Sequence, residues 1–183
     1  NLTSTSMVFA DGTGPGGADI VVGGYHWPKG VQGMDRHTGQ TFWFGNPDGG
    51  ESIGDRSPAF ANDGATVYVT NDATSHPLMA FAAPTGPSVY WHNGSDPSPD
   101  HLQMDSPVIA PDGRIFLHGW VDGPYAGTDG GTEIRETWAA AATVEIGHSD
   151  AALYQDGEIL KVVVGSRPGE IPGVSYQFLT PEA

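Results

Sequence analysis

Cysteine is absent from the 183-residue sequence, and basic side chains are scarce. Without cysteine there is no disulfide framework, thiolate nucleophile, iron–sulfur site or cysteine zinc site. Seven Lys plus Arg residues against 22 Asp plus Glu give a formal net charge of −15. Phosphate neutralisation needs clustered basic side chains, which argues against nucleic acid as a partner. The sequence also lacks an apolar run of about 18 residues, so we expect no membrane span.

Long helical periodicity is also missing. Only residues 132–144 could form a helix, and residues 133–138 alternatively fit an outer strand. The 27 glycines and 15 prolines fall between short β-branched and aromatic runs, where they supply the backbone angles of tight turns. Residues 57–91 contain four short strands separated by such turns. We therefore expect an all-β chain built from antiparallel sheets.

This four-strand unit recurs along the chain. Asp63-Gly64 matches Asp112-Gly113 at an offset of 49 residues, and the serine-proline pairs at 57–58 and 106–107 have the same offset. A looser match sets residues 17–22 against residues 64–69, which pairs Val21 with Tyr68. A period near 47 residues with four strands per period is typical of a propeller blade.

The repeats predict one β-propeller-type domain over residues 1–183, made of four-stranded antiparallel blades. The four predicted blades span about 7–48, 57–93, 106–140 and 149–183. In the third blade, residues 121–131 are expected to form an insertion or a widened loop. The fourth blade lacks a last strand, which residues 1–6 would supply in a closed four-blade ring. The alternative is a segment of a larger ring; both ends look cut, and we expect a fragment or subunit.

A resemblance to a known family appears in residues 33–43, G-M-D-R-H-T-G-Q-T-F-W. This segment resembles the blade signature of quinoprotein-like (PQQ-type) propellers. The second repeat is similar to the YVTN-type blade, because residues 68–71 read Y-V-T-N. The resemblance implies that Thr-Gly forms the turn between the third and fourth strands, and that the tryptophan packs against the neighbouring blade. The expected signature residues are Asp35, Thr38, Gly39, Trp43, Thr85, Gly86, Trp91 and, at the same spacing, Trp138.

Catalytic motifs are weak. The seven histidines form no pair with metal-ligand spacing, and there is no Gly-x-Ser-x-Gly sequence. The quinone-dependent enzymes of the family use adjacent cysteines and a calcium cage, which this chain does not match. Asp11 and Asp19 lie in a glycine-rich loop and form a weak candidate calcium loop, although such an ion wants six or more oxygen ligands. We therefore predict no cofactor and leave only calcium open.

The sequence favours a non-catalytic binding or assembly module in the extracellular or periplasmic space. Its expected partner is another protein, or the remaining propeller blades on another chain. The alternative is a quinone- or metal-dependent oxidoreductase, or a carbohydrate-active hydrolase, whose active site is completed by residues outside this chain. Loop aromatics supply contact area with a polar tip, although loop packing would explain them equally well. The candidate binding residues are Tyr25, His26, Trp27, Trp120 and Tyr125.

Overall fold

The computed structural model describes ten segments of the chain. They are residues 7–25, 30–45, 57–70, 78–91, 106–119, 123–129, 134–139, 152–156, 159–165 and 176–179. Within these segments the chain is all-β, apart from a single 3-10 turn at Pro15–Gly17. No helix in the described segments is long and apolar enough to cross a membrane.

The strands form four antiparallel sheets that follow one another along the chain. The first sheet contains β1 (Val8–Ala10), β2 (Ile20–Tyr25), β3 (Gly30–Asp35) and β4 (Thr41–Gly45). The second contains β5 (Ala59–Phe60), β6 (Thr66–Thr70), β7 (Leu78–Ala82) and β8 (Gly86–Trp91). The third contains β9 (Val108–Ile109), β10 (Ile115–Gly119), β11 (Gly123–Asp129) and β12 (Ile134–Ala139). The described part of the fourth contains β13 (Ala152–Asp156), β14 (Ile159–Gly165) and β15 (Tyr176–Leu179).

The first three sheets share one cross-strand row of residues, which we call the aromatic row. In each sheet the row has a small residue on the third strand and an aromatic residue on the fourth. The rows are Val8–Val22–Gly33–Trp43, Ala59–Tyr68–Ala80–Tyr90 and Val108–Phe116–Ala126–Trp138. Next to the row, the pairing of the third and fourth strands shifts in all three sheets. Such bulges increase local twist, and their recurrence marks the three sheets as copies of one unit.

Two apolar clusters hold the first three sheets side by side. The larger cluster joins Ile20, Val22 and Trp43 of the first sheet to one face of the second, which supplies Val67 and Phe81. The smaller cluster joins the opposite face of the second sheet to the third and contains Tyr68, Leu78, Ala80 and Ile115. Because side chains alternate between the faces of a strand, the second sheet is apolar on both faces. The core therefore lies between the sheets.

Polar contacts between equivalent turns reinforce this side-by-side packing. The Ser57 backbone N–H donates to the Ser106 hydroxyl at 2.9 Å, and these residues lie 49 apart in sequence. The Asn62 side-chain amide donates to the Ala110 carbonyl at 2.8 Å and to the Pro111 carbonyl at 3.1 Å. First strands of successive sheets are also in contact, β1 with β5 and β5 with β9. Neighbouring sheets thus meet through corresponding parts.

The third sheet corrects the predicted loop at residues 121–131 and decides between the helix and the strand considered for residues 132–144. Residues 121–131 were expected to form a loop, but Gly123–Asp129 is the third strand and pairs with β10 on one side and β12 on the other. Its glycine-rich composition resembles a loop, yet a small residue at position 126 fits the aromatic row. The helix considered for residues 132–144 does not occur over Ile134–Ala139, which is the outer strand. The closing strand considered for residues 1–6 lies outside the described residues.

The looser repeat alignment is wrong by one residue. It pairs Val21 with Tyr68, whereas the strand registers place Val22 and Tyr68 in the same row of their respective sheets. Packing agrees, because Val22 faces the second sheet and Tyr68 faces the third. The same shift places Tyr90, and not Trp91, at the position of Trp43. In the second repeat, the aromatic row residue is therefore Tyr90, one position before the tryptophan that the spacing indicates.

Candidate functional site

The interface between the first two sheets is centred on Trp43 at the outer strand of the first sheet. Its side chain is 7% exposed and stacks on Phe81, with ring centroids 6.0 Å apart and an interplanar angle of 6°. The indole N–H donates a buried hydrogen bond of 2.8 Å to the Ala83 carbonyl of the second sheet. An indole satisfies its polar atom and buries a large apolar area in one contact. Trp43 thus has a packing role between two repeats.

Two glycines make room for this ring. Gly33 lies beside Trp43 in the aromatic row, and a Cβ there would overlap the indole. Gly86 adopts a φ of +75°, and a Cβ at that position would lie 2.6 Å from the indole. A turn with positive φ is available to glycine at little cost. The Thr-Gly turn of the second repeat therefore serves as the seat for the tryptophan of the first.

The corresponding turn of the first sheet is organised by Asp35. Its Oδ1 accepts hydrogen bonds from the backbone N–H groups of His37 at 2.9 Å and Thr38 at 2.7 Å. The Thr38 hydroxyl accepts from the Gln40 N–H at 3.3 Å, and Gly39 has a φ of +71°. The Thr38 backbone hydrogen bond is the main cause that lowers the pKa of Asp35. The pattern Asp-x-x-Thr-Gly is thus a self-capped turn.

The two aspartates of the candidate calcium loop lie at the same end of this sheet. Asp11 Oδ1 lies 2.6 Å from Arg36 Nη1. Asp19 Oδ2 accepts from His37 Nε2 at 2.8 Å, and its Oδ1 accepts from the Gly12 N–H at 2.9 Å. We call Asp11, Asp19, Arg36 and His37 the polar corner. Its carboxylates have protein donors, and the arrangement ties the loop before β2 to the turn after β3.

The electrostatics of the polar corner follow from these pairs. The hydrogen bond from His37 is the largest cause that lowers the pKa of Asp19, and the Gly12 N–H adds to it. Both ion pairs are substantially exposed to solvent, where water and salt screen the attraction, so they add little to the stability of the fold. Within the described segments, no group of three or more His, Cys, Asp or Glu side chains could hold a metal. The calcium prediction gains no support from this geometry.

An exposed apolar surface covers the opposite face of the first sheet, directed away from the second. Three large side chains on it are open to solvent: Phe9 is 60% exposed, Met7 48% and Phe44 43%. The Arg36 guanidinium lies 4.3 Å from the centre of the Phe9 ring, which joins this surface to the polar corner. We call Met7, Phe9 and Phe44 the open face. Three large apolar side chains on one solvent-facing side of a sheet make this face a candidate interaction surface.

Of the five aromatic residues predicted to bind a partner, two lie within described strands. Tyr25 ends β2 of the first sheet opposite Gly30, and Tyr125 lies in β11 of the third sheet opposite Leu117. His26, Trp27 and Trp120 lie outside the described residues. A binding role for these five residues stays a prediction.

Sequence reasoning missed both the open face and the polar corner. In the sequence, Phe9 lies in a short apolar stretch whose composition does not indicate which face of a strand it would occupy. Its equivalent in the second repeat is Phe60, since Phe9 pairs with Val21 and Phe60 pairs with Val67. Comparing these two strands by register would have singled out Phe9, because Phe60 packs against the cluster between the first two sheets while Phe9 is 60% exposed. Arg36 and His37 sit at variable positions within the turn signature, so no motif pointed to them.

Comparison with known proteins adds no assignment to this geometry. No protein-family model matches the chain, and no curated protein matches it significantly.

Proposed function

We propose that the chain is a propeller-type module of the PQQ-like or YVTN-like kind, which acts in binding or assembly and not in catalysis. The observation that carries the proposal is the recurrence of the aromatic row with its adjacent bulge in three successive sheets. A repeat that buries each sheet face against the next copy is the construction principle of solenoids and propellers. Three four-stranded sheets and a described three-stranded sheet follow one another along the chain.

The direction of packing also supports a radial arrangement. Val22 and Trp43 of the first sheet face the second, and Tyr68 of the second faces the third. Equivalent row positions therefore point the same way around the molecule. The first strands β1, β5 and β9 contact one another in order, as the inner strands of a ring would. In this proposal these strands surround a common axis.

A binding role is favoured by how the described polar groups are used. Asp35 caps a turn, Asp19 and Asp11 hold the polar corner, and Asp63 accepts from the Ala65 N–H at 2.9 Å within its own turn. Each of these carboxylates therefore has a local structural role. The open face, in contrast, presents apolar area that a partner protein would bury. We place this partner outside the cytoplasm, in line with the family resemblance.

An experimental structure at modest resolution tests the architecture. We expect β1, β5 and β9 to lie around one axis with the later strands radiating outward. Sheets stacked as a sandwich, or separated as independent hairpins, would refute the propeller proposal. Absorbance and elemental analysis of the native protein test the role: a quinone chromophore or one calcium per chain would favour the oxidoreductase alternative over a non-catalytic module.

A further inference from the structure

The open face contains the counterpart of a surface that is occupied elsewhere in the same molecule. In the second sheet, the row Phe60–Val67–Phe81 packs against the first sheet, and Phe81 is fully buried beneath Trp43. The row of the first sheet in the equivalent register is Phe9–Val21–Met34. Phe9 in that row is 60% exposed. The same row of two equivalent sheets is thus covered in one and open in the other.

The turns at the ends of these rows differ in the same way. Gly86 and Gly39 both follow a threonine and have φ values of +75° and +71°. A Cβ on Gly86 would meet the Trp43 ring at 2.6 Å, whereas a Cβ on Gly39 would have nothing within 4 Å. The first sheet therefore presents a vacant seat of the type that receives an aromatic side chain in the second. In the second sheet, the group that occupies the equivalent position is Trp43, the aromatic row residue of the neighbouring sheet.

We propose that a second copy of this chain fills that seat, with its last sheet packed on the open face. This inference rests on the proposed function and names the partner. It also rests on continuity with an interface already present, because the first sheet would receive its neighbour as the second sheet receives the first. Phe9 is 60% exposed in the structure that contains all four sheets, so this face has room for a further sheet.

The fourth sheet has the composition to supply the complementary surface. Its neighbouring rows are Leu153–Val162–Leu179 and Ala152–Val163–Phe178, both apolar throughout. Adjacent rows of a sheet lie on opposite faces, so this sheet is patterned for cover on both sides. Packing the fourth sheet of one copy on the first sheet of the other makes a head-to-tail contact, and two copies close if both such contacts form.

The test is the mass of the full chain in solution, measured by light scattering across a range of protein concentrations. We expect twice the 19.1 kDa of one chain. Phe9→Asp places a charge in the centre of the seam, and we expect the dimer dissociation constant to rise at least about tenfold. Thr85→Asp adds the same charge at an exposed turn of the second sheet and should leave the dimer intact. Circular dichroism and thermal melting verify that both variants fold.

Each outcome decides the proposal. A dimer that Phe9→Asp dissociates and Thr85→Asp preserves supports it. A monomer at every concentration overturns it, as does a dimer that Phe9→Asp leaves unchanged, or a mass that keeps growing with concentration. A monomer whose experimental structure still has sheets around one axis would refute this inference while leaving the propeller proposal standing, so the two failures are distinguishable.

Discussion

Replacing Trp43 tests the central packing claim, because this one side chain makes three kinds of contact across the first seam. It stacks on Phe81, donates to the Ala83 carbonyl and fills the space above Gly33 and Gly86. Trp43→Phe keeps an aromatic ring but removes the N–H donor. Trp43→Ala removes the ring as well. The two variants therefore separate the hydrogen bond from the apolar contact.

The magnitudes follow from burial. Trp43→Phe leaves the Ala83 carbonyl without its indole donor, which costs about 1–3 kcal/mol of unfolding free energy. Trp43→Ala should cost about 3–5 kcal/mol, near the upper end, because glycines on two sides of the ring have no side chains to fill the cavity. A chain of this size loses about 2–4 °C of melting temperature per kcal/mol, so the melting temperature of the Trp43→Ala variant should fall by about 6–20 °C.

Urea and thermal unfolding, followed by far-UV circular dichroism, give these free energies. Gln40→Ala is the matched control, because Gln40 is exposed and its described contacts come from backbone atoms that alanine keeps. We expect the control to change stability by less than about 0.5 kcal/mol. A loss below about 1 kcal/mol for Trp43→Ala would mean that the indole is not clamped between sheets, and the packing argument would fail.

Three further predictions concern other parts of the described chain. Gly86→Ala should destabilise the protein more than Gly39→Ala at equal low concentration, because both strain a turn with positive φ but only Gly86 faces the indole; equal losses in urea unfolding would contradict this. Thr70→Val should stabilise the protein by about 1 kcal/mol, because the buried Thr70 hydroxyl has no hydrogen-bond partner among the described residues; a lower melting temperature would count against that interpretation. The lowered pKa of Asp35 means that its contribution is present above the ordinary pKa of about 4 and is lost as the pH falls through the lowered value. Asp35→Asn should therefore show a shallower loss of stability on acidification, measured by urea unfolding at a series of pH values, and identical acid profiles would refute this assignment.

Most of the strand pattern could be predicted from the sequence, because turns and strands are local. The Asp-Gly pairs at 63–64 and 112–113 form the same reversal, in which the glycine N–H donates to an alanine carbonyl at 2.9 Å. The aspartate of each pair accepts from the residue two positions later. Local chemistry of this kind is readable from a single sequence. The all-β class followed from it.

Register was harder to predict, because one extra residue moves a whole strand to the other face. The spacing of the tryptophans makes Trp91 the equivalent of Trp43. The strand registers instead make Tyr90 the equivalent of Trp43, because Tyr90 pairs with Ala80 as Trp43 pairs with Gly33. The strand at Gly123–Asp129 was missed for a related reason. Its glycines resemble turn residues, and only its pairing with β10 and β12 identifies the segment as a strand. Neither fact is present in a local window of sequence.

The polar corner and the open face depend on contacts between segments distant in sequence, so composition could not predict them. Arg36 reaches Asp11 across 25 positions of the chain. Phe9 is 60% exposed because none of the described sheets packs on that face of the first sheet. An apolar strand in the sequence indicates burial but does not say against what. Whether a given face of a sheet is covered depends on which other sheet packs against it.

The aromatic row links these observations physically. A small residue on the third strand lets the fourth-strand aromatic residue lie across its own sheet, as Trp43 does over Gly33. The ring then presents one surface to the next sheet and its N–H to that sheet's turn. A sheet built in this way has a projecting aromatic residue on one face and a glycine seat at the turn on the other. Such a unit can satisfy both faces only between two others of its kind, so the vacant seat at Gly39 and the exposed ring of Phe9 are consequences of the repeat itself.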